Sequence, residues 1–232
     1  MDLFLEGLIR AITLVAQGDA ELLSVTWLSL RVSGTATMLC LLVGVPLGTM
    51  LALTRFPGRS VVLALVNSGM GMPPVVVGLI VSIMLWRSGP FGQLRLMYTP
   101  AAMVIAQCAI ALPVVVGLTV ASIQQLNPKL RLQILGLGAS RVQMLWLLVR
   151  EARLPLLAAV MAGFGAVISE VGASMMVGGS LYGQTRVLTT ATVNEVGKGE
   201  FGLAMAFSLI LLLLVYAVNA TLTWVQQRGR PL

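Results

Sequence analysis

Histidine is missing from all 232 residues, cysteine occurs only twice, and charged residues make up just 10% of the chain. Without histidine, haem ligation and most zinc or iron chemistry are disfavoured. Cys40 and Cys108 lie in separate apolar runs and form no CxxC pair, so they read as small core residues, not as ligands or a disulfide. No Gly-x-x-x-x-Gly-Lys-Ser/Thr stretch occurs, which leaves the chain without a phosphate-binding loop. No triad, metal cluster or other cofactor motif takes its place.

The scarcity of charge is the most informative of these absences. Soluble domains carry about a quarter charged residues, whereas this chain is 58% hydrophobic with a mean hydropathy of +0.96. That balance defines an integral membrane protein. No Ser- or Pro-rich linker divides it, so residues 1–232 read as a single membrane domain. The net charge of +7 would suggest nucleic acid in a soluble protein. Here the basic residues sit in short segments between apolar runs, which is the requirement of membrane topology and points away from nucleic acid.

Against a yardstick of about 20 apolar residues per crossing, five runs are long enough to span: residues 32–54, 60–86, 99–122, 155–178 and 203–225. Residues 2–17 differ. Asp2, Glu6, Arg10, Thr13 and Gln17 form one polar stripe at helical spacing, opposite Leu5, Leu8, Ile9, Ile12 and Val15, a pattern suited to an amphipathic helix lying on the lipid interface. The acids Asp2 and Glu6 also exclude a signal-peptide reading of this segment.

Charge sets an expected orientation. Arg55 and Arg59 follow span 1, Lys129, Arg131, Arg141, Arg150 and Arg153 lie between spans 3 and 4, and Arg228 and Arg230 follow span 5. With five spans all three groups share one side, expected to be cytoplasmic. The other side holds Asp2, Glu6, Asp19, Glu21, Glu195 and Glu200, which dilute Arg10, Arg87, Arg95, Arg186 and Lys198. The N-terminus is therefore expected outside and the C-terminus inside, with Arg31 as an interface anchor at the outer mouth of span 1.

Several spans carry helix-breaking residues. Gly44 and Gly48 flank Pro46 in span 1; Gly69, Gly71, Pro73 and Pro74 fall in span 2; Pro113 falls in span 3. Glycines four apart admit a close helix neighbour, and prolines free carbonyls that protein or cavity water must satisfy. Such interruptions are frequent in transporters.

Residues 127–153 are too polar to span and too regular for disorder. Asn127-Pro128 is a helix-start signal, and Leu132, Leu135, Leu145, Leu148 and Val149 alternate with basic residues around Gly136-Leu137-Gly138-Ala139-Ser140. Two short helices joined by a glycine turn, with apolar and basic faces, are suited to docking a partner.

Leu137-Gly138-Ala139-Ser140-Arg141 resembles the centre of the cytoplasmic loop of ABC importer permeases, although Leu132-Gln133-Ile134 stands where that family has Glu-Ala-Ala. The series Glu151-Ala152-Arg153, Gly163-Phe164-Gly165, Ser169-Glu170-Val171-Gly172-Ala173, Val177-Gly178-Gly179, Gly183 to Ala191 and Lys198-Gly199-Glu200-Phe201 is similar to the tungstate permeases, a branch close to the molybdate and sulfate permeases. Ser180 departs from the Asn expected there. The resemblance implies an all-α integral membrane protein of about five transmembrane helices, with an N-terminal interfacial helix and a cytoplasmic coupling-helix loop over 127–153. It implies a homodimer in lipid, a partner ABC ATPase supplying ATP and magnesium, and a separate extracytoplasmic oxyanion-binding protein. The membrane would be the bacterial or archaeal cytoplasmic membrane. Molybdate or sulfate transport is the nearest alternative.

Leu137, Gly138, Ala139, Ser140 and Arg141 are then the expected ATPase-coupling residues. An expected translocation path comprises Glu170, Gly178, Gly179, Ser180, Thr185, Arg186, Thr189 and Thr190. Hydroxyls and one arginine are apt chemistry for a tetrahedral oxyanion, held weakly enough to leave again. Glu170, an acid at membrane depth, would repel a dianion. Capping a broken helix or pairing an arginine is its favoured role, gating comes second and direct anion binding last. An ion-coupled carrier using Glu170 as proton site is the rival from another class, and a non-transporting scaffold is a third.

Overall fold

The computed structural model describes residues 2–228, together with the side chains of all of these except residues 2–4, 6 and 11. Arg230 and the side chains of Asp2 and Glu6, which entered the charge balance, lie outside the described residues. Among the described residues every regular element is helical.

Helix α1 (Asp2–Gln17) ends at Gly18, whose φ of +64° is left-handed, and Asp19 caps the next helix by accepting from the Leu22 amide at 2.9 Å. Helix α2 (Ala20–Leu53) runs 34 residues, or about 51 Å at 1.5 Å per residue. It extends twelve residues before the expected span 32–54, so Arg31 lies inside a continuous helix. The polar residues along it do not interrupt the helix. Ser29, Thr37 and Thr49 return their hydroxyls to the carbonyls of Val25, Ser33 and Val45 at 2.7–2.8 Å, so none is left unsatisfied.

Helix α5 (Pro100–Gln124) is the centre of the bundle, capped by Thr99 and packed against α2, α8, α9 and the α3–α4 pair. Met103, Ala106, Ala111 and Val115 on it are fully buried. The glycine pair of α2 is its closest neighbour: a Cβ at Gly48 would lie 2.6 Å from Thr119 Cβ and one at Gly44 2.8 Å from Val115 Cγ1. The two thiols share this seam, Cys108 donating to the Ala36 carbonyl at 3.5 Å and Cys40 to the Cys108 carbonyl at 3.7 Å.

The expected span 60–86 is two helices, α3 (Arg59–Met70) and α4 (Pro74–Leu85), bent by 104° across Gly71-Met72-Pro73. Pro73 and Pro74 have no N–H to continue the helix. The expected span 155–178 is likewise divided into α8 (Arg153–Ile168) and α9 (Gly172–Gly178), and α8 turns by 74° from the preceding α7. Among the described residues, three helices (α2, α5 and the last, α11) are long and apolar enough to cross a bilayer, and counting each bent pair as one span raises that to five.

The segment 127–153 forms the two expected helices, α6 (Pro128–Gly136) and α7 (Arg141–Glu151). After α9 the chain turns through α10 (Leu188–Lys198) into α11 (Phe201–Arg228). α1 packs on the start of α11, where Gly7 meets Met205 and Gly202 meets Arg10, and it turns Leu5, Ile9, Ile12 and Val15 outward.

Tertiary contacts draw the three basic segments to one end of the bundle. Arg59 Nε and Arg131 Nη1 donate to the Leu51 and Leu53 carbonyls at 2.9 and 3.0 Å, capping the C-terminus of α2 where its dipole is negative. Gln226 donates to the Leu154 carbonyl at 3.2 Å, which sets the end of α11 beside the start of α8.

Candidate functional site

The break between α8 and α9 holds the one acid expected at membrane depth. Glu170 is buried; its Oε1 accepts from the Ala173 amide at 2.8 Å in the first turn of α9, and its backbone carbonyl accepts from Thr189 Oγ1 at 3.0 Å. The carboxylate thus satisfies an orphan donor of a broken helix. It takes part in none of the ion pairs among the described residues. Across from it α4 and α9 touch so closely that a Cβ at Gly78 would sit 2.6 Å from Ala173 Cα.

Beyond α9 the backbone is left-handed at Gly179 (φ +70°), Ser180 (φ +51°) and Gly183 (φ +70°). Thr185 is fully buried; its hydroxyl donates to the Gly178 carbonyl at 2.6 Å and accepts from the Leu181 amide at 2.9 Å. Ser180 Oγ donates to Thr190 Oγ1 at 3.0 Å and accepts from the Asn194 amide at 2.9 Å. Thr190 in turn donates to the Val187 carbonyl at 3.1 Å. The start of α10 is held to α2 by the Leu188 amide, 2.8 Å from Ser29 Oγ.

Arg186 is only 6% exposed. Its Nη1 pairs with Glu21 at 2.8 Å, its Nη2 pairs with Glu195, and Lys198 reaches the same Glu195 oxygen at 2.7 Å. The guanidinium also lies over the rings of Phe207 and Tyr182, at 5.7 and 5.8 Å. Burial works to raise the pKa of Glu195, but hydrogen bonds from Lys198 and Arg186 outweigh it and hold the carboxyl below its usual range.

The sequence-expected path residues therefore do come together, around the α8–α9 break and the turn into α10. Within the chain, the hydroxyls of Thr185, Thr189 and Thr190 donate to the backbone carbonyls of Gly178, Glu170 and Val187, and Nη1 and Nη2 of Arg186 are spent on two carboxylates. The partners Glu21, Ser29, Asn194 and Glu195 were not among the expected site residues, because nothing local in the sequence joins α2 to α10.

At the opposite end, α6 and α7 share a small core of Ile123, Ile134, Met144, Leu148, Ala152 and Leu156. Asn127 caps α6, and Ser140 with Gln143 forms a reciprocal capping box at α7. Gly138 between them has φ +81° and free space about its Cα. Leu137 is 88% exposed and Val142 75%, flanked by Arg141 and by Arg150 stacked on Trp146 at 5.3 Å. An apolar tip with a basic rim has the chemistry that suits protein docking.

Broken membrane helices around a central core, with a rigid two-helix element at one end, define a multi-pass membrane transport subunit. Residues 44–231 match the family described as the binding-protein-dependent transport system inner membrane component, and the chain belongs to that family. It is 36% identical to the tungstate uptake system permease protein TupB of Peptoclostridium acidaminophilum, over 98% of this chain and all of that protein. It is 40% identical to a probable anion ABC transporter permease of Haloferax volcanii, over 88% of this chain and 92% of that one. Sulfate and molybdenum permeases are more distant relatives, such as CysW of Escherichia coli at 28% identity, with 93% of this chain and 75% of that one covered. The inward-facing MetNI methionine ABC transporter has the same fold, with a TM-score of 0.74 at 18% identity, covering 91% of this chain and 97% of that one. The chain is thus an ABC importer permease of the tungstate, molybdate and sulfate group, a multi-pass protein of the inner membrane.

Proposed function

We propose that the chain moves tungstate inward as the membrane-spanning half of an ATP-driven importer, working as a homodimer with two ATPase subunits. The observation that carries this reading is the end-to-end correspondence with a tungstate uptake permease. ATP hydrolysis, with its magnesium, belongs to the partner ATPase in this reading, which the lack of a phosphate-binding loop in this chain supports. An extracytoplasmic oxyanion-binding protein delivers the anion, because nothing in the 170–190 region offers it a tight site.

Coupling starts at Leu137, Gly138, Ala139, Ser140 and Arg141, the tip that docks the ATPase. Ala152 ends α7 and begins α8, and it is fully buried in the core they share. A displacement of α7 is therefore passed to α8 and on to the break at Glu170. The translocation path runs along the α4–α9 face, with Glu170, Gly178, Gly179, Ser180, Thr185, Arg186, Thr189 and Thr190 shaping its wall. Alternating access follows as the two copies rock about these breaks. The end bearing α6 and α7 faces the cytoplasm, which puts the N-terminus outside, and α1 lies on the outer interface with its apolar face in lipid.

Uptake measured by elemental mass spectrometry, in cells with and without the gene, tests the substrate. Loss of tungsten uptake alone supports tungstate; loss of molybdate or sulfate uptake instead replaces the substrate and keeps the machine. A proton-coupled carrier using Glu170 is disfavoured because that carboxylate already caps α9. Collapse of uptake by a protonophore at constant ATP would restore it.

A further inference from the structure

From residue 22 through residue 150 the chain contains no aspartate or glutamate. Two arginines in this acid-free stretch, Arg87 and Arg95, line a cavity of about 640 Å³ with Trp86, Gln93 and Tyr98. The cavity lies in the connection from α4 to α5, at the end of α5 opposite to α6 and α7. Neither guanidinium takes part in the ion pairs among the described residues. Among the described side chains the acids are committed or distant: Asp19 and Glu170 cap helices, Glu21 and Glu195 hold Arg186, Glu200 faces Arg10, and Glu151 lies at the other end of the bundle.

The connection is built to hold its shape. Phe91 donates to the Met84 carbonyl at 3.0 Å, Gly89 to Trp86 at 2.8 Å and Arg95 to Gly92 at 3.1 Å. A Cβ at Gly89 or Gly92 would lie 2.2–2.3 Å from the carbonyl oxygens of Ile83 and Trp86. Arg95 and Tyr98 are left-handed, with φ of 50° and 62°, a strained state for side-chain-bearing residues. Tyr98 is fastened to α9 by its amide, 2.8 Å from the Val177 carbonyl, and its ring lies where a Cβ on Gly179 would be.

We propose that this cavity binds a tetrahedral oxyanion dianion through Arg87 and Arg95, as an entry subsite beside the outer end of α9. Two guanidinium forks, neither paired with a described acid, match the charge and the hydrogen-bond acceptors of such an ion. The cavity is wider than the bare ion, so the anion keeps part of its water and is held loosely and in a salt-sensitive way. That the anion is tungstate rests on the proposed function; that the arginines bind a tetrahedral anion does not.

The full chain in nanodiscs of zwitterionic lipid is dialysed against sodium tungstate without any binding protein, and bound tungsten is measured. Saturable binding, at least tenfold weaker in Arg87→Gln/Arg95→Gln, weakened less in the double Arg→Lys variant and unchanged in Arg31→Gln, is expected, with unchanged melting temperatures. Competition by sulfate and inorganic phosphate, but not by phosphatidylglycerol in the disc, assigns the site to a free anion. Arginine-dependent displacement by phosphatidylglycerol assigns it to a lipid phosphate and overturns the entry role. No saturable binding, or binding indifferent to both arginines, overturns the site. If the glutamine variants bind normally yet fail only in uptake that needs a binding protein, the arginines dock that protein and the proposal falls. Arginine-dependent binding in a protein that imports no tungsten would keep the site and sink the transport assignment.

Discussion

Arg186 and Glu21 lie 165 residues apart in sequence, yet their side chains meet at 2.8 Å. This pair, with Glu195 on the other fork of the guanidinium, ties the start of α2 to α10 and to the turn that follows α9. It gives the one arginine expected to meet the anion a structural task.

Arg186→Gln should therefore act on stability. It leaves Glu21 without its cation and the buried Glu195 with Lys198 alone, a loss of about 1–3 kcal/mol. Thermal unfolding in detergent checks this. A variant that melts like the parent but transports with a raised KM would return Arg186 to anion contact.

Glu195 predicts the acid limb of stability. Its pKa is depressed in the folded chain, so its contribution is complete above its ordinary value near 4.5 and is lost as pH falls through the lower, folded value. Melting temperature should be flat with respect to this group above about pH 5 and fall below pH 4.5. Glu195→Gln should flatten that fall.

Glu170 separates two mechanisms. Glutamine keeps an acceptor for the Ala173 amide, whereas alanine removes the cap at a cost of about 0.5–2 kcal/mol. Glu170→Gln should fold and transport nearly as the parent does. Abolished transport with intact folding, read by uptake and by melting, would favour the proton carrier.

Gly48→Ala tests the seam between α2 and α5. Its Cβ would fall 2.6 Å from Thr119 Cβ and 2.8 Å from the Val116 carbonyl, and overpacking of this kind costs about 1–3 kcal/mol. Gly34→Ala, with nothing within 4 Å, is the control that should keep its melting temperature.

Leu137→Asp places a charge on the most exposed apolar tip of the α6–α7 turn, which is 88% exposed. The chain should fold unchanged, but the ATPase should no longer copurify with it. Retention of the ATPase at parental levels would move the docking surface elsewhere.

Features that depend on near neighbours in sequence were legible in advance. Asn127-Pro128 starts α6 because a cap needs only a side chain two or three residues from the amide it accepts. Gly44 and Gly48 announced a close crossing because their spacing puts both on one helix face. The gathering of basic segments at one end followed from the count of apolar runs, and the hydrogen bonds from Arg59, Arg131 and Gln226 draw those segments together.

What remained was decided by contacts that no local pattern encodes. The prolines and glycines near residue 72 signalled a break, but the 104° angle between α3 and α4 depends on what each half packs against. Arg186 and the threonines beside it had the chemistry of an anion path. Only the fold brings Glu21 and Glu195 to that guanidinium and turns the threonine hydroxyls onto backbone carbonyls. Ser180 stands at a left-handed position, φ +51°, which suits Asn better than Ser, and Asn194 from α10 supplies an amide at 2.9 Å to its hydroxyl. Composition and periodicity determine that this chain is a membrane bundle with a polar two-helix segment, since the bilayer acts on every residue of a span alike. Which polar groups are spent inside the protein, and which have no ion-pair partner among the described residues, as with Arg87 and Arg95, is set by long-range packing, where a single partner decides the role.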